Sequence, residues 1–334
     1  LRSHCSPVPG SDFVYALSGV PLPVPMPWAL PRVWRASARA DVAVIVEANF
    51  ILSAVAFAVA KWQRKPTLVV QHVGEPSTVS KLARWLMKLG ETAIVRPIIR
   101  SADTVICVSP VVANYFDGER APAAASHVIG HGIDLECFRP SADHEERRED
   151  RRELGLRDDR KLACFVGRMT ESKGIAVVAE VARMLPDWTF ALAGIGSVEP
   201  TRWDLPNVVA LGQLDREKVA QLYRASDAMI LPSPSESFSL VVREALACAC
   251  GVVCSGQILD TDAGLAPFIT TVPVDLGDVR ATATRVAEAL GGMQAVPGDE
   301  ARQYLLAHCS PKAATDSYVR LIETLMPHRD MIAP

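Results

Sequence analysis

The chain of 334 residues is long enough for about two domains, each with its own core. Apolar residues make up 49% and charged residues 22%, with 20 Gly and 24 Pro, which excludes wholesale disorder and a small disulfide scaffold. The formal net charge of −3 gives no global field to hold nucleic acid by phosphate neutralisation, so no nucleic-acid partner is expected.

Residues 1–140 carry 14 basic and 10 acidic side chains (+4), and the remainder 21 and 28 (−7), so the first half is the more basic. Seven prolines fall in residues 1–40, and with Pro21, Pro23, Pro25 and Pro27 alternating with other residues this stretch is expected to be extended. The chain begins at Leu1 with no charged segment leading into an apolar one, so no signal peptide is read and a fragment or a misplaced start is expected. The longest apolar run, 50–60, is well short of the ~18–20 residues that span a bilayer.

From Asp41 the texture becomes alternating. Val42–Val46 reads as a strand, Asn49–Trp62 as a helix, and Thr67–Gln71 as a second strand. Thr78–Arg100 is helical in pattern with a break expected at Pro97, and Thr104–Val108 is the next strand. Strands alternating with helices imply a parallel sheet. Within 81–100, Lys81, Arg84, Trp85 and Lys88 with Leu82, Leu86 and Leu89 make a basic amphipathic helix. Such a helix suits peripheral contact with anionic lipid headgroups, and equally a core-packed helix with a solvated basic face.

The mixed charges of 141–160 read as a solvated helix and linker between two domains. Beyond it the rhythm restarts: strand Leu162–Val166, helix Ile175–Met184, strand Thr189–Ala193, strand Val208–Leu211, helix Arg216–Arg224 and strand Ala228–Leu231. Eight cysteines, at 5, 107, 137, 164, 248, 250, 254 and 309, have no regular spacing and sit mostly in apolar runs, as reduced thiols of a cytosolic protein do. Cys248, Cys250 and Cys254 lack the CxxC spacing of a zinc knuckle.

Two loops carry chemistry. Gly167-Arg168-Met169-Thr170-Glu171-Ser172-Lys173-Gly174 joins a strand to a helix and places two cations there. They suit a diphosphate, with Arg bidentate and Lys as a point charge, although solvated cations near a helix start are also common. The second loop, 231–239, leads into a helix and brings Glu236 and Glu244, eight positions apart. Were the segment wholly helical, ~1.5 Å of rise per residue would separate them by about 12 Å, which suits the two ends of a diphosphate-linked sugar. The alternative is a carboxylate favoured by the helix dipole and a solvated one later.

In these motifs the chain resembles the retaining GT-B glycosyltransferases of glycosyltransferase family 4, from about Asp41 onward. The matching stretches are VIGHGIDLECFRP (128–140), FVGRMTESKG (165–174), LAGIGS (192–197), LGQLDREKVAQLYRASDAMILPS (211–233) and ESFSLVVREALAC (236–248). The resemblance implies an α/β GT-B fold, two Rossmann-like parallel-sheet domains facing across a cleft, with the first lacking its first βα unit. The expected boundaries are 1–140 for the acceptor-side domain, 141–160 for the linker and 161–312 for the nucleotide-sugar domain. A helix at 313–334 would return to the first domain.

The resemblance also implies site residues. Gly167, Arg168 and Lys173 would hold the donor diphosphate, and Ser237, Phe238, Ser239 and Leu240 would line it through backbone N–H groups. Glu244 would bind the ribose, Leu214 would border the nucleobase, and His72 and Glu236 would flank the transferred sugar as catalytic residues. The implied reaction moves a hexosyl group from a nucleotide sugar to a glycan or lipid-linked acceptor with retention, in the cytoplasm or at the inner face of the membrane. It implies no cofactor and no metal, because two cations and a helix N-terminus neutralise the leaving diphosphate. A DxD-like stretch, Asp260-Thr261-Asp262, lacks the context of a metal site and reads as a polar loop.

Departures from the family pattern leave two rivals: an epimerase or hydrolase of the same fold, and a non-catalytic binding protein. Ser237 and Ser239 stand where the family usually has Gly. His131 replaces an Asn, Ala249 and Gly251 replace Gly and Pro, and the double-glycine loop after Cys254 is reduced to Gly256-Gln257. The family's glycine-rich loop after its first strand would precede Leu1, within a unit of about 40–60 residues.

Overall fold

Apolar, β-branched runs separated by helices build two parallel sheets, each in its own unit. The computed structural model describes residues 10–11, 24–25, 27–74, 81–117, 126–293 and 298–326. The first unit takes in the chain up to Gly130 together with the C-terminal segment from Thr315, and the second runs from His131 to Ala314.

In the first unit a short antiparallel pair, β1 (Gly10–Ser11) and β2 (Val24–Pro25), precedes the main sheet. That sheet has the order β3 (Ala43–Val46), β4 (Thr67–Gln71), β5 (Thr104–Cys107), β6 (His127–Val128), all parallel. The fully buried β4 lies at its heart, and Tyr318, Leu321, Ile322 and Leu325 of the helix Pro311–Leu325 pack on Leu68, Val70 and Ile106. At β3, Val44 and Val46 are exposed.

The second unit is a six-stranded parallel sheet in the order β12 (Thr270–Val272), β11 (Gly251–Ser255), β10 (Ala228–Leu231), β7 (Lys161–Val166), β8 (Trp188–Ala193), β9 (Val208–Gly212). The chain winds outward from β7 in both directions, so the strand order reverses between β7 and β10. In such sheets ligands bind outside the carboxyl ends of the strands at the point of reversal. Six cysteines are buried free thiols, and burial pushes the Cys254 thiol up to about 12.

Four sequence expectations are corrected. Residues 30–39 are helical, not extended, because Pro31 falls in the first turn, where a missing N–H is tolerated. The helix expected to break at Pro97 instead runs Lys81–Gly90, a π-turn Glu91–Val95, then Arg96–Ser101. The wider turn relieves the clash that a proline ring makes with the preceding turn. Thr78–Ser80, the side chains of Lys81, Leu82, Arg84 and Leu86, and Cys5 lie outside the described residues, while Trp85, Met87 and Leu89 are exposed.

The charged stretch 141–160 is not a solvated linker, and the division falls at Gly130/His131 rather than after Pro140. Its helix, His144–Glu153, is N-capped by Asp143 and buries one charged face in the second unit. Arg151 donates to the carbonyls of Ala225 and Arg160 and pairs with Asp227 at 3.2 Å, while Asp150 holds Arg224 at 2.7 Å. Opposite charges placed on facing elements bury a stretch whose composition alone reads as solvated.

Candidate active site

The loops leaving β7 and β10 meet at the reversal point of the second sheet. After β7 the chain runs through Gly167 and Arg168 into a short 3-10 turn, Glu171–Lys173, and then Gly174 starts the helix Ile175–Met184. Gly174 has φ +71, and a Cβ there would fall inside the contact radius of the Pro232 carbonyl. Only glycine allows the two loops this close. The loop after β8 joins them in the same way, since a Cβ on Gly194 would collide with the Gly167 carbonyl.

This approach brings together two of the residues expected at the site. Lys173 Nζ lies 2.6 Å from Glu236 Oε1, with both side chains mostly buried. Arg168 stays exposed at the mouth of its loop. Leu214, after β9, is half-buried against the core of the unit, just before a helix capped by Asp215.

Helix Leu240–Ala247 begins four residues after Glu236. The segment from Glu236 to Glu244 is therefore loop and then helix, and the wholly helical spacing does not apply. The first amides of a helix have no acceptor within it. Here they follow Ser239, which is 7% exposed, takes φ +51, and has a buried Oγ with no hydrogen-bond partner. Ala249 also takes a positive φ, +56. Both positions are usually glycine in the resembled family, so the backbone keeps the left-handed shape although the side chains have changed.

Arg243, which the sequence reading did not single out, organises this loop. It is 1% exposed, lies over the Phe238 ring with 3.8 Å to the centroid, and donates to the Phe238 and Ser239 carbonyls and to Asp262 Oδ2. Asp262 also accepts from the Tyr304 hydroxyl and the Gly264 N–H. That gives the Asp260-Thr261-Asp262 stretch a structural task. His131 packs edge-on against Phe238, 5.3 Å between centroids.

Glu244 lies further along the same helix, largely buried, and desolvation raises its carboxyl to about 7, with Arg216 opposing only in part. A carboxylate held in such surroundings is ready to accept hydrogen bonds from a ligand's hydroxyls.

His72 belongs to the first unit, directly after β4. Its backbone N–H donates to Glu47 Oε1 at 2.7 Å, and its Nδ1 lies 2.8 Å from the same oxygen. Glu47, also missed in the sequence, follows β3 with φ +57. A signal existed in both cases: a lone arginine inside the apolar helix LVVREALA, and an acid closing the apolar run AVIVE.

Comparison with known proteins adds the rest. The family model for glycosyltransferase family 4 matches residues 7–137, so the likeness begins well before Asp41, and the model for glycosyl transferases group 1 matches residues 146–259. The alpha-maltose-1-phosphate synthase of Mycolicibacterium smegmatis is 31% identical over 272 residues, 71% of this chain and 67% of that protein. The D-inositol 3-phosphate glycosyltransferase of Mycobacteroides abscessus is 30% identical over 203 residues, and the match spans 57% of this chain but only 40% of that protein's length. Among solved structures, sucrose-phosphate synthase from Thermosynechococcus elongatus superposes with a TM-score of 0.68 at 22% identity, covering 89% of this chain and 78% of the other. Anabaena HepE in complex with UDP-glucose gives 0.68 at 18%, covering 89% and 82%. At these identities the structural likeness speaks for the fold.

Proposed function

Because the chain belongs to glycosyltransferase family 4, the group 1 glycosyltransferases, we propose that it transfers a hexosyl group from a nucleoside-diphosphate sugar to a glycan or lipid-linked acceptor. The observation that carries this reading is the Lys173–Glu236 contact of 2.6 Å at the reversal point of the second sheet. It sets a cation and a carboxylate side by side, four residues before a helix begins. An anionic leaving group and a sugar need those neighbours.

In this reading Arg168, Lys173, Gly167 and the amides around Ser237, Phe238, Ser239 and Leu240 hold the diphosphate. Leu214 borders the base, and Glu244 accepts from the ribose hydroxyls. Glu236 faces the transferred sugar, and His72 meets a substrate hydroxyl from the first unit. Two cations and the helix N-terminus would offset the charge that develops on the departing diphosphate without a metal, and retention of configuration is what the resemblance to the family implies. Relatives named for glycosyl transfer, and a structural neighbour solved with UDP-glucose, support a uridine nucleotide as the first donor to test. Residues 81–100, where Trp85 and Leu89 are exposed, are the segment for contact with a lipid-linked acceptor's membrane.

Calorimetric titration with UDP, GDP and ADP tests the donor site, and NMR of the glycoside product reads the anomeric configuration. Binding of one diphosphate and a retained anomer is the expected result. No binding of any of the three, by a folded chain, removes the reading.

A further inference from the structure

The second sheet carries a concave, cation-rich site at the end opposite its donor loops. A cavity of about 420 Å³ is lined by the helix His144–Glu153 and by residues at the amino ends of β7 and β10. That volume falls in the range of small-molecule pockets. At ~3.3 Å of rise per residue, the length of β7 sets the cavity roughly 17 Å from the loop that starts at Gly167.

Five cations line it: Arg147, Arg148 and Arg151 from the helix, and Arg160 and Lys161 where β7 begins. Three carboxylates line it too, and they do not use up this charge. Asp227 is shared between two arginines, Arg147 at 2.7 Å and Arg151 at 3.2 Å. Asp159 is taken by Arg157, which does not line the cavity and meets it at 2.7 and 2.9 Å. Asp158 stands 3.3 Å from Arg148 Nε and 3.7 Å from Arg151 Nη1, longer than the ~2.7–2.9 Å of a full charge-assisted bond.

Arg160 donates to the Pro186 carbonyl, and Lys161 lies over the Trp188 ring, 5.2 Å to the centroid. Neither forms an ion pair among the described residues. Arg151, only 5% exposed, brings its charge into the wall of the cavity. Burial lowers its guanidinium from the ordinary value, with Asp227 opposing the shift and Arg147 adding to it. A concave surface with surplus charge of one sign concentrates counter-ions.

We propose that this cavity binds a small soluble anion carrying one or two phosphoryl groups. The arginines donate to its oxygens from the helix, and Arg160 and Lys161 from the start of β7, the guanidiniums in bidentate fashion and the ammonium as a point charge. Asp158, 55% exposed, is the internal competitor that such an anion displaces from Arg148 and Arg151. The site is separate from the proposed donor site, and neither reading needs the other.

The test is calorimetric titration of the full chain with inorganic pyrophosphate at about 0.15 M salt, where charges in open solvent are largely screened. Pyrophosphate also suits the proposed donor site, so variants assign the binding. Arg148 and Lys161 are exposed, and replacing both with Ala leaves the pairs of Arg147 and Arg151 with Asp227 in place. This double variant should lose at least about tenfold in pyrophosphate affinity at the cavity, while Lys173→Ala leaves that binding unchanged.

Asp158→Asn, which removes the competitor, should tighten binding roughly twofold to fivefold, the scale of an exposed ion pair. Thermal melts establish that each variant is folded. A folded wild-type chain that binds no pyrophosphate overturns the proposal. So does binding that Lys173→Ala abolishes and the double variant leaves intact, or an Asp158→Asn chain that binds more weakly than the wild type.

Discussion

Lys173 and Glu236, 63 residues apart in sequence, share a hydrogen bond of 2.6 Å at the carboxyl end of the second sheet. The proposed donor site is thus built with its cation already held by its carboxylate. In the proposed reading, a diphosphate entering the site would compete with Glu236 for the ammonium and free Glu236 toward the sugar.

Opposite outcomes are expected from the two partners. Lys173→Ala removes a charge-assisted bond to phosphate and should weaken UDP binding by ~1.5–3 kcal/mol, roughly tenfold to a hundredfold. Glu236→Gln keeps the shape and removes the competitor, so UDP should bind as well or better while turnover falls. Titration calorimetry on both variants, beside initial rates, checks this pair of signs. Equal losses of UDP affinity in the two would show that the ion pair is only a scaffold.

Glu244 gives a pH dependence with a definite sign. Burial raises its carboxyl to about 7 from an ordinary 4.5, so between these values the folded chain holds a proton that the unfolded chain has released. Its contribution to stability is full below about pH 4.5 and is lost as pH rises to about 7. In Glu244→Gln that slope disappears. Denaturation of both proteins across pH 4–8 should show the variant gaining on the wild type up to about 7 and holding its lead above. Ribose hydroxyls donate to the ionised form, so UDP affinity of the wild type should rise over the same interval.

Arg243 makes the most exacting demand on the fold. Replacing it with Leu leaves the Phe238 and Ser239 carbonyls and one oxygen of Asp262 without their donor. Breaking such a buried pair costs about 3–5 kcal/mol, less here if Tyr304 and Gly264 keep Asp262 satisfied. Denaturant melts of Arg243→Leu and Asp262→Asn should order the two, with the arginine the costlier. A loss under about 1 kcal/mol for the arginine would mean that the loop holds itself.

These two buried partners mark where sequence reading stops. The strands and helices of the second unit, from the strand at Leu162 to the one at Ala228, are legible because local periodicity and glycine spacing encode them. The loops of the proposed donor site are legible because Lys173 and Glu236 sit in motifs that resemble the family's. Arg243 with Asp262, and His72 with Glu47, are pairs made by the tertiary fold, 19 and 25 residues apart, and no periodicity announces them. The run 141–160 misleads for the same reason. Arg151 and Asp150 read as solvated until Asp227 and Arg224 are placed opposite them.

Ser239 supplies a prediction in which stability and binding part company. Its φ of +51 is natural for glycine and strained for serine, and its buried Oγ has no partner. Ser239→Gly relieves the backbone and removes an unsatisfied hydroxyl, at the expense of a more flexible unfolded chain. The terms are roughly 1–2 kcal/mol for the left-handed conformation and about 1–3 for the orphan group, against ~0.5–1 for glycine entropy. The free protein should therefore gain about 1–4.5 kcal/mol. If the hydroxyl is kept because it donates to the diphosphate, the variant should lose part of the thermal stabilisation that saturating UDP confers on the wild type. A variant that is more stable and equally responsive to UDP would place the hydroxyl outside the diphosphate site. Ala249→Gly, at φ +56 and away from that loop, is the control: it should be stabilised to a smaller degree, with its UDP response unchanged.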